Sequence, residues 1–189
     1  MVTRLRATGA SLVLINVPDV TVIPALISIP VLSGLSGLPP AVITSRLGVA
    51  ESDYLLLSQT LVYLAKIAGL SPAPLTDNQV LTASEVSQIR QRVNEFNGAI
   101  RTIAAENQAV LVDINASLNQ IASSGLTVGG KRITTALLGG VFSLDGVHPT
   151  YTGQAWIANE IVSAINRTLG LSIPPINLAA VMASDPLVF

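Results

Sequence analysis

Cysteine is absent from this sequence, and histidine occurs once. Without cysteine, the chain forms no disulfide bond and offers no thiol nucleophile or thiolate metal ligand. A single histidine likewise excludes a histidine-rich metal centre. The composition therefore implies neither a metal ion nor an organic cofactor.

Aromatic and charged residues are also scarce, at 4% and 11% of the chain, and the net charge is −1. Nucleic-acid binding usually needs a basic stripe or aromatic stacking platforms, and the sequence predicts no such partner. Half of the residues are hydrophobic and the mean hydropathy is +0.61. Two explanations stay open: strands buried on both faces, or a surface that a partner, a lipid-like substrate or further chain covers.

No hydrophobic run reaches the roughly 18 residues that a transmembrane helix requires. The apolar stretch after Arg4 and Arg6 is interrupted by polar residues and prolines, so neither a transmembrane segment nor a signal peptide is predicted. The segment before Gly9 has the pattern of a helix end, which leads us to expect further sequence upstream. The compartment stays open.

Two short apolar runs predict strands buried on both faces, at residues 11–17 and 109–114. A long proline-rich loop is expected over residues 18–40. An apolar face at helical spacing predicts a helix over residues 54–68, with Leu57, Leu61, Leu64 and Ala68 on that face. The 189 residues fit one domain, in which residues 18–80 form a loop-and-helix insertion between the two central strands.

Three further elements follow from local signals. The capping box Thr82–Glu85 predicts the start of a long helix that continues to about residue 103. A short helix is expected at residues 118–123, and a Gly-Gly turn predicts a hairpin over residues 127–133. A last helix should cover Tyr151 to Leu169 and end at Gly170. Strands alternating with helices indicate an α/β fold with parallel pairing.

The only histidine lies in the segment Asp145-Gly-Val-His148-Pro149, which leads into the last helix. A carboxylate that accepts from imidazole Nδ1–H leaves Nε2 free to take a proton from a hydroxyl group. The spacing of three residues allows this contact across one turn. A capping aspartate beside a surface histidine is the alternative interpretation of the same pattern.

The wider block Phe142-Ser-Leu-Asp-Gly-Val-His-Pro-Thr-Tyr-Thr-Gly153 resembles the final block of the SGNH/GDSL family of serine esterases and lipases. The segments at residues 12–21 and 110–114 look like the family's fourth and fifth strands. Residues 81–107 resemble the corresponding segment of bacterial members that carry a large insertion between those strands. The likeness spans nearly the whole chain but only the C-terminal half of a family domain.

This resemblance implies a flavodoxin-like α/β/α three-layer sandwich, here truncated to about two central parallel strands. It implies carboxylic-ester hydrolysis with Asp145 as the orienting acid and His148 as the general base, acting on esters or lipid-like molecules. It also suggests a secreted or periplasmic bacterial protein. The family's Gly-Asp-Ser block with the nucleophile, and its Gly-x-Asn-Asp block, have no counterpart in this sequence.

Ser33 and Ser36 lie in the proline-rich loop after the first strand, and Ser143 lies in the loop that enters the last helix, so these three are the candidate substitute nucleophiles. Asn16 and Asp19 lie at the carboxyl end of the first strand and are candidates for oxyanion or substrate binding. Three hypotheses remain: an esterase that uses a substitute serine or an activated water, a catalytically silent remnant, or an interaction module. With only two central strands, the strand at residues 12–17 has an exposed edge, and we expect a homo-oligomer in which the subunits cover it.

Overall fold

Two parallel strands lie side by side where the sequence predicts them. In the computed structural model, which describes residues 2–188, β1 (Val13–Ile15) pairs with β5 (Val110–Val112). Val13 lies opposite Val110, and Ile15 opposite Val112. A parallel pair requires a long crossover connection, which residues 16–109 supply. The predicted α/β class is confirmed.

The other strands form two small antiparallel sheets. One sheet has the order β2-β3-β4, with β2 at Leu26–Ser28, β3 at Tyr54–Leu56 and β4 at Val80–Leu81. The other is the predicted hairpin of β6 (Leu126–Val128) and β7 (Lys131–Ile133), which turns at Gly129 and Gly130.

Eight α-helices complete the described part of the chain, together with short 3-10 turns. They are α1 (Val2–Arg6), α2 (Ile29–Ser36), α3 (Pro40–Leu47), α4 (Thr60–Ile67), α5 (Ala83–Glu106), α6 (Ile114–Ser124), α7 (Tyr151–Leu169) and α8 (Leu178–Ser184). None of them is both long enough and apolar enough to cross a membrane.

The two longest helices have the boundaries that their capping residues predict. At the start of α5, Thr82 Oγ1 accepts from Glu85 N–H and the Glu85 carboxylate accepts from Thr82 N–H at 2.8 Å, which is the predicted capping box. Helix α7 starts after Thr150, whose hydroxyl accepts from the Gly153 N–H, and it ends at Gly170 in the left-handed conformation. Both satisfied ends explain why these helices were predictable.

The predicted helix over residues 54–68 is wrong in its first half. Residues 54–56 are instead strand β3, the middle strand of the β2-β3-β4 sheet, and helix α4 begins only at Thr60. Leu61, which the helical pattern assigned to the apolar face, is 82% exposed. Pairing with strands distant in sequence overrides the local helical spacing.

The proline-rich segment 18–40 is also not the continuous loop that was expected. It contains β2 and helix α2, and Pro40 is the first residue of α3. Proline is compatible with the first turn of a helix, where its missing N–H needs no partner. Pro30 and Pro40 therefore start helices here rather than breaking them.

The parallel pair lies between helices. Val110 and Val112 of β5 are buried against Ala164, Ile161 and Ile165 of α7, while α5 contacts both β1 and β5. A second core packs α6 and the β6-β7 hairpin around Trp156 and Phe142, and a third packs α2, α3 and α4 around Tyr63. Phe142 anchors the segment that carries Asp145 and His148.

Candidate active site

The segment from Phe142 to Pro149 is a closed loop between the second core and helix α7. Phe142 pairs with Pro149 in an antiparallel bridge, and Ser143 N–H donates to the His148 carbonyl at 2.7 Å. Thr150 N–H donates to the Val141 carbonyl at 3.0 Å, and Thr150 Oγ1 donates to the Gly140 carbonyl at 2.7 Å. These bonds fix both ends of the loop.

Asp145 is the centre of the loop's hydrogen bonds. Its Oδ2 lies 2.6 Å from His148 Nδ1. Its Oδ1 accepts from Ser143 Oγ at 2.6 Å and from the backbone N–H groups of Val147 and His148, each at 2.9 Å. Both carboxylate oxygens are thus committed, and the side chain has little freedom to turn away from the imidazole.

These donors hold the pKa of Asp145 well below its usual range. The Ser143 hydroxyl lowers the pKa most, followed by the His148 ring and then by the backbone N–H groups of Val147 and His148. Asp145 is therefore ionised at neutral pH and can only accept hydrogen bonds. It follows that the short contact places a proton on His148 Nδ1. In the neutral ring, Nε2 then carries the free lone pair.

The other side of the pair is open to solvent. The His148 side chain is 79% exposed and the Asp145 side chain 50% exposed. The loop rests on a neighbouring segment through Gly146, whose carbonyl accepts from the Ala25 N–H at 3.0 Å. A Cβ at Gly146 would lie 2.5 Å from the Ala25 nitrogen, so only glycine permits this close approach.

An apolar cavity of about 330 Å³ lies next to this contact. Pro24, which borders Ala25, lines the cavity together with residues of β2, β3, α2 and the segment after β7. Val31 and Leu35 of α2 line it as well and are more than half exposed. The cavity therefore adjoins the segment against which the Asp145–His148 loop packs, and its size falls in the range of small-molecule sites.

The two predicted strand-end residues engage other partners. Asn16 is buried, and its amide donates to Asp113 Oδ1 at 2.6 Å and accepts from Asn115 N–H at 3.0 Å. Asp19 Oδ1 accepts from the backbone and the hydroxyl of Thr21 at 2.8 and 2.6 Å, and its Oδ2 lies 3.4 Å from Arg90 Nε. The structure joins the two strand ends to each other, and these contacts do not reach His148.

The three candidate nucleophiles have separate surroundings. Ser143 lies beside the pair, but its hydroxyl donates to Asp145 Oδ1. Ser33 Oγ donates to the Leu38 carbonyl at 2.7 Å, and Ser36 Oγ accepts from Leu38 N–H at 3.4 Å. Both lie on α2 and are half-buried, and their hydrogen bonds to Leu38 close the end of that helix. Among the described residues, no hydroxyl group is hydrogen-bonded to His148.

Two features of the site were not predicted from the sequence. One is the contact of Ser143 with Asp145, for which the Ser-x-Asp spacing is a usable signal, since serine and aspartate hydrogen-bond locally in turns. The other is the support of Gly146 by Pro24 and Ala25. Gly146 lies more than 100 positions after Pro24 and Ala25 in the sequence. The glycine itself was the only sign that the two backbones approach each other closely.

The comparisons with known proteins give one match. The model of the GDSL-like Lipase/Acylhydrolase family matches residues 11–161, which cover most of the chain and include the Asp145–His148 loop. No curated protein and no solved structure matches the chain. The chain thus belongs to the GDSL-like lipase/acylhydrolase family, a family of the ester-hydrolase kind.

Proposed function

We propose that this protein hydrolyses carboxylic esters with His148 as the general base and Asp145 as the residue that orients it. The carrying observation is the 2.6 Å contact between His148 Nδ1 and an Asp145 carboxylate whose oxygens are held by further donors. Such a contact keeps the imidazole in one tautomer and one orientation, with Nε2 facing outwards.

The nucleophile in this proposal is water. The ring is largely solvent-exposed, and the hydroxyls of Ser143, Ser33 and Ser36 make other hydrogen bonds, which supports water over these serines. His148 Nε2 takes a proton as the water oxygen bonds to the ester carbonyl carbon. The tetrahedral intermediate then collapses, the bond to the alcohol oxygen breaks, and the imidazolium returns its proton to that oxygen.

The acyl group binds in the 330 Å³ cavity beside Pro24. Its lining is mainly apolar, which favours an uncharged acyl chain over a charged one, and its size suits short- to medium-chain acyl esters. Pro24 lines this cavity and also contacts Gly146, so we expect a bound ester to place its acyl chain in the cavity and its carbonyl group on the side of the Asp145–His148 loop.

The test measures hydrolysis of a chromogenic butyrate ester by the wild type and by His148→Ala and Asp145→Ala. Each variant should lose kcat/KM by about 10²- to 10⁴-fold, the usual range for a general base. Glu51→Ala, which removes an exposed carboxylate elsewhere, is the matched control and should hydrolyse at the wild-type rate. Hydrolysis that survives His148→Ala would contradict the role of the pair.

Labelling with a serine-directed phosphonate distinguishes water from a serine as the nucleophile. With water as the nucleophile, mass mapping finds no labelled serine while hydrolysis depends on His148. A label at Ser143, Ser33 or Ser36 that blocks activity would replace water with that serine.

The second candidate is a catalytically silent remnant of such an enzyme, or an interaction module that lacks a nucleophile. The observation that favours it is that His148 has no hydroxyl partner among the described residues. Absence of any hydrolysis in a correctly folded protein would support this candidate and contradict the first.

A further inference from the structure

The segment between the two parallel strands contains a buried lysine without an acidic partner. Lys66, in the last turn of α4, is 6% exposed. It makes no ion pair and no side-chain hydrogen bond with another residue of the described chain. Lysine is almost never buried in this way unless a negative charge accompanies it. Since no fully buried polar side-chain atom of the described chain lacks a partner, the Lys66 ammonium group must reach solvent while its stem is covered.

Lys66 lines a crevice of about 480 Å³ at the ends of α3 and α4, and its ammonium group opens into this space. Arg46, in the last turn of α3, lines the same crevice and donates to the carbonyl of Ile67, the residue after Lys66. Ser45 and Ser71 add two hydroxyl groups to the lining. No aspartate or glutamate of residues 2–188 lines it. The crevice thus presents two cations and two hydroxyl groups without a negative side chain.

The two helix ends tolerate these cations but do not use up their donors. A helix C-terminus attracts positive charge, which explains why two basic residues lie here. The carbonyls at these ends already have partners, however: Thr44 O accepts from Gly48 N–H, and both Leu64 O and Lys66 O accept from Ala68 N–H. The ammonium group of Lys66 therefore keeps three N–H donors without an acceptor in the described chain. A bound anion would supply the acceptors.

We propose that this crevice binds a phosphate group. Four donor side chains from α3, α4 and the segment after α4 line one space. The oxygens of phosphate are arranged as a tetrahedron and can accept from several of these donors at once, and arginine and lysine are the usual partners of phosphate. A carboxylate offers two oxygens in one plane and would meet fewer of the donors.

The phosphate site is separate from the proposed ester site. The crevice and the 330 Å³ cavity beside Pro24 have no lining residue in common. All residues that line the crevice belong to the stretch 45–74, so one continuous part of the chain determines its shape and charge. A ligand in the crevice would bind the protein without occupying the place of an ester.

A soluble phosphate compound and the headgroup of an anionic lipid share this chemistry. Leu70 bears on the choice between them, because it follows Gly69, which lines the crevice, and is 80% exposed. An exposed leucine beside a basic crevice is compatible with a membrane surface, where apolar side chains enter the lipid and cations contact the headgroups. The experiment therefore needs one arm for each source.

The first arm is isothermal titration calorimetry of the whole chain with sodium phosphate at constant ionic strength. The wild type should bind a single phosphate, which should also raise its Tm. Lys66→Met keeps most of the apolar stem but removes the charge, so it should weaken binding at least about tenfold. Ser71→Ala should weaken binding by about three- to tenfold. Lys131→Met, which removes the exposed second lysine of the chain, is the matched control and should bind like the wild type.

The second arm is sedimentation with vesicles. If the ligand is a lipid headgroup, vesicles of phosphatidylcholine with phosphatidic acid should pellet the wild type but not Lys66→Met, and vesicles of phosphatidylcholine alone should pellet neither. Phosphate binding without vesicle binding would identify a soluble phosphate compound. Circular dichroism verifies that each variant is folded, and Ser71→Ala serves as the test if Lys66→Met is not.

Three results would overturn the proposal. One is a wild type that binds neither inorganic phosphate nor the phosphatidic acid vesicles. Another is a loss of binding in Lys131→Met as large as that in Lys66→Met, which would indicate general charge attraction. The third is acetate that binds as tightly as phosphate, which would show that the crevice does not select a phosphate group.

Discussion

At the scale of single residues, Asp145 determines what His148 can do. An ionised carboxylate 2.6 Å from Nδ1 requires the proton on that nitrogen, and the Ser143 hydroxyl and two backbone N–H groups keep the carboxylate in place. Ser143 is a positioning residue in this arrangement, because it acts on the histidine only through Asp145. The spacing of Asp145 and His148 in the sequence predicted their contact, since three residues span one turn. The network that surrounds Asp145 depends on backbone geometry that spacing alone does not specify.

The tautomer of His148 gives a direct check, since a chain with one histidine has one pair of imidazole nitrogen resonances. In the neutral ring, long-range ¹⁵N correlation spectra should show a protonated Nδ1 and an unprotonated Nε2 in the wild type. Asp145→Ala should shift the population towards the Nε2–H form, which isolated imidazole side chains favour. Ser143→Ala should produce a smaller shift in the same direction, and Ser143→Thr should restore the wild-type pattern because it keeps the hydroxyl. An unchanged spectrum in Asp145→Ala would show that the carboxylate does not set the tautomer.

At the scale of elements, the loop 143–148 depends on its contact with the segment 24–25. Gly146 has φ +72° and its carbonyl accepts from Ala25 N–H, while a Cβ would meet the backbone of Pro24 and Ala25 within 2.9 Å. The loop therefore owes its position to a segment more than a hundred residues earlier in the chain. Rigid attachment to two elements is what preorganises a catalytic pair on a loop.

Gly146→Ala should displace this loop. The left-handed backbone and the backbone clash together should lower the free energy of unfolding by about 1–3 kcal/mol. The hydrolysis that we propose for His148 should fall with it. Gly34→Ala is the matched control: Gly34 lies inside α2 with no atom within 4 Å of an added Cβ, so the change should be neutral or stabilising by about 0.5–1 kcal/mol. Urea unfolding of both variants measures the difference. Equal stability of the two would refute the packing argument.

Elements with complete local signals were predictable, and elements made by distant pairing were not. Helix α7 has its capping Thr150, its apolar stripe and its terminal Gly170 within one segment, so the sequence predicts it from Tyr151 to Leu169. Residues 54–56 have helical spacing too, but they pair with Leu26–Ser28 and Val80–Leu81. Asp53, just before β3, accepts from Ala50 N–H at 2.8 Å and from the N–H of Ala83, the first residue of α5, at 3.1 Å, so it too makes a contact that is distant in sequence.

At the scale of the whole molecule, the C-terminal segment packs against α7 and against the core around Trp156 and Phe142. After α7 the chain returns along the same helix, where Asn166 bonds to the backbone of Ile173 and Asn159 to that of Ile176. Met182 of α8 then packs into the core that contains Trp156 and Phe142. No periodicity in the sequence marks this tail, since its contacts are made by single asparagines and by α8.

Asp185 connects the C-terminal segment to the start of α7 through hydrogen bonds. It is buried, its Oδ2 accepts from the Thr152 N–H and hydroxyl at 2.7 and 2.8 Å, and its Oδ1 accepts from Leu187 N–H at 3.1 Å. Burial acts to raise the pKa of Asp185, but these hydrogen bonds outweigh it and the pKa is lowered. The helix N-terminus also favours a negative charge at this position.

Asp185→Asn should therefore destabilise the protein in a pH-dependent way. The amide keeps one acceptor oxygen but replaces the other with an NH2 donor, which must face either the Thr152 donors or the Leu187 N–H. The free energy of unfolding at pH 7 should therefore fall by about 1–3 kcal/mol and Tm by about 2 to 12 °C. A carboxyl group with a lowered pKa stabilises the folded state above its unfolded pKa of about 3.9, and this contribution is lost as the pH falls through the lower folded value. The difference between wild type and Asp185→Asn should thus be full at pH 7 and shrink below about pH 4. Thermal unfolding across this range measures it, with the exposed Asp77→Asn as control. A difference that stays constant down to pH 2.5 would mean that the charge of Asp185 is not what holds the C-terminal segment to α7.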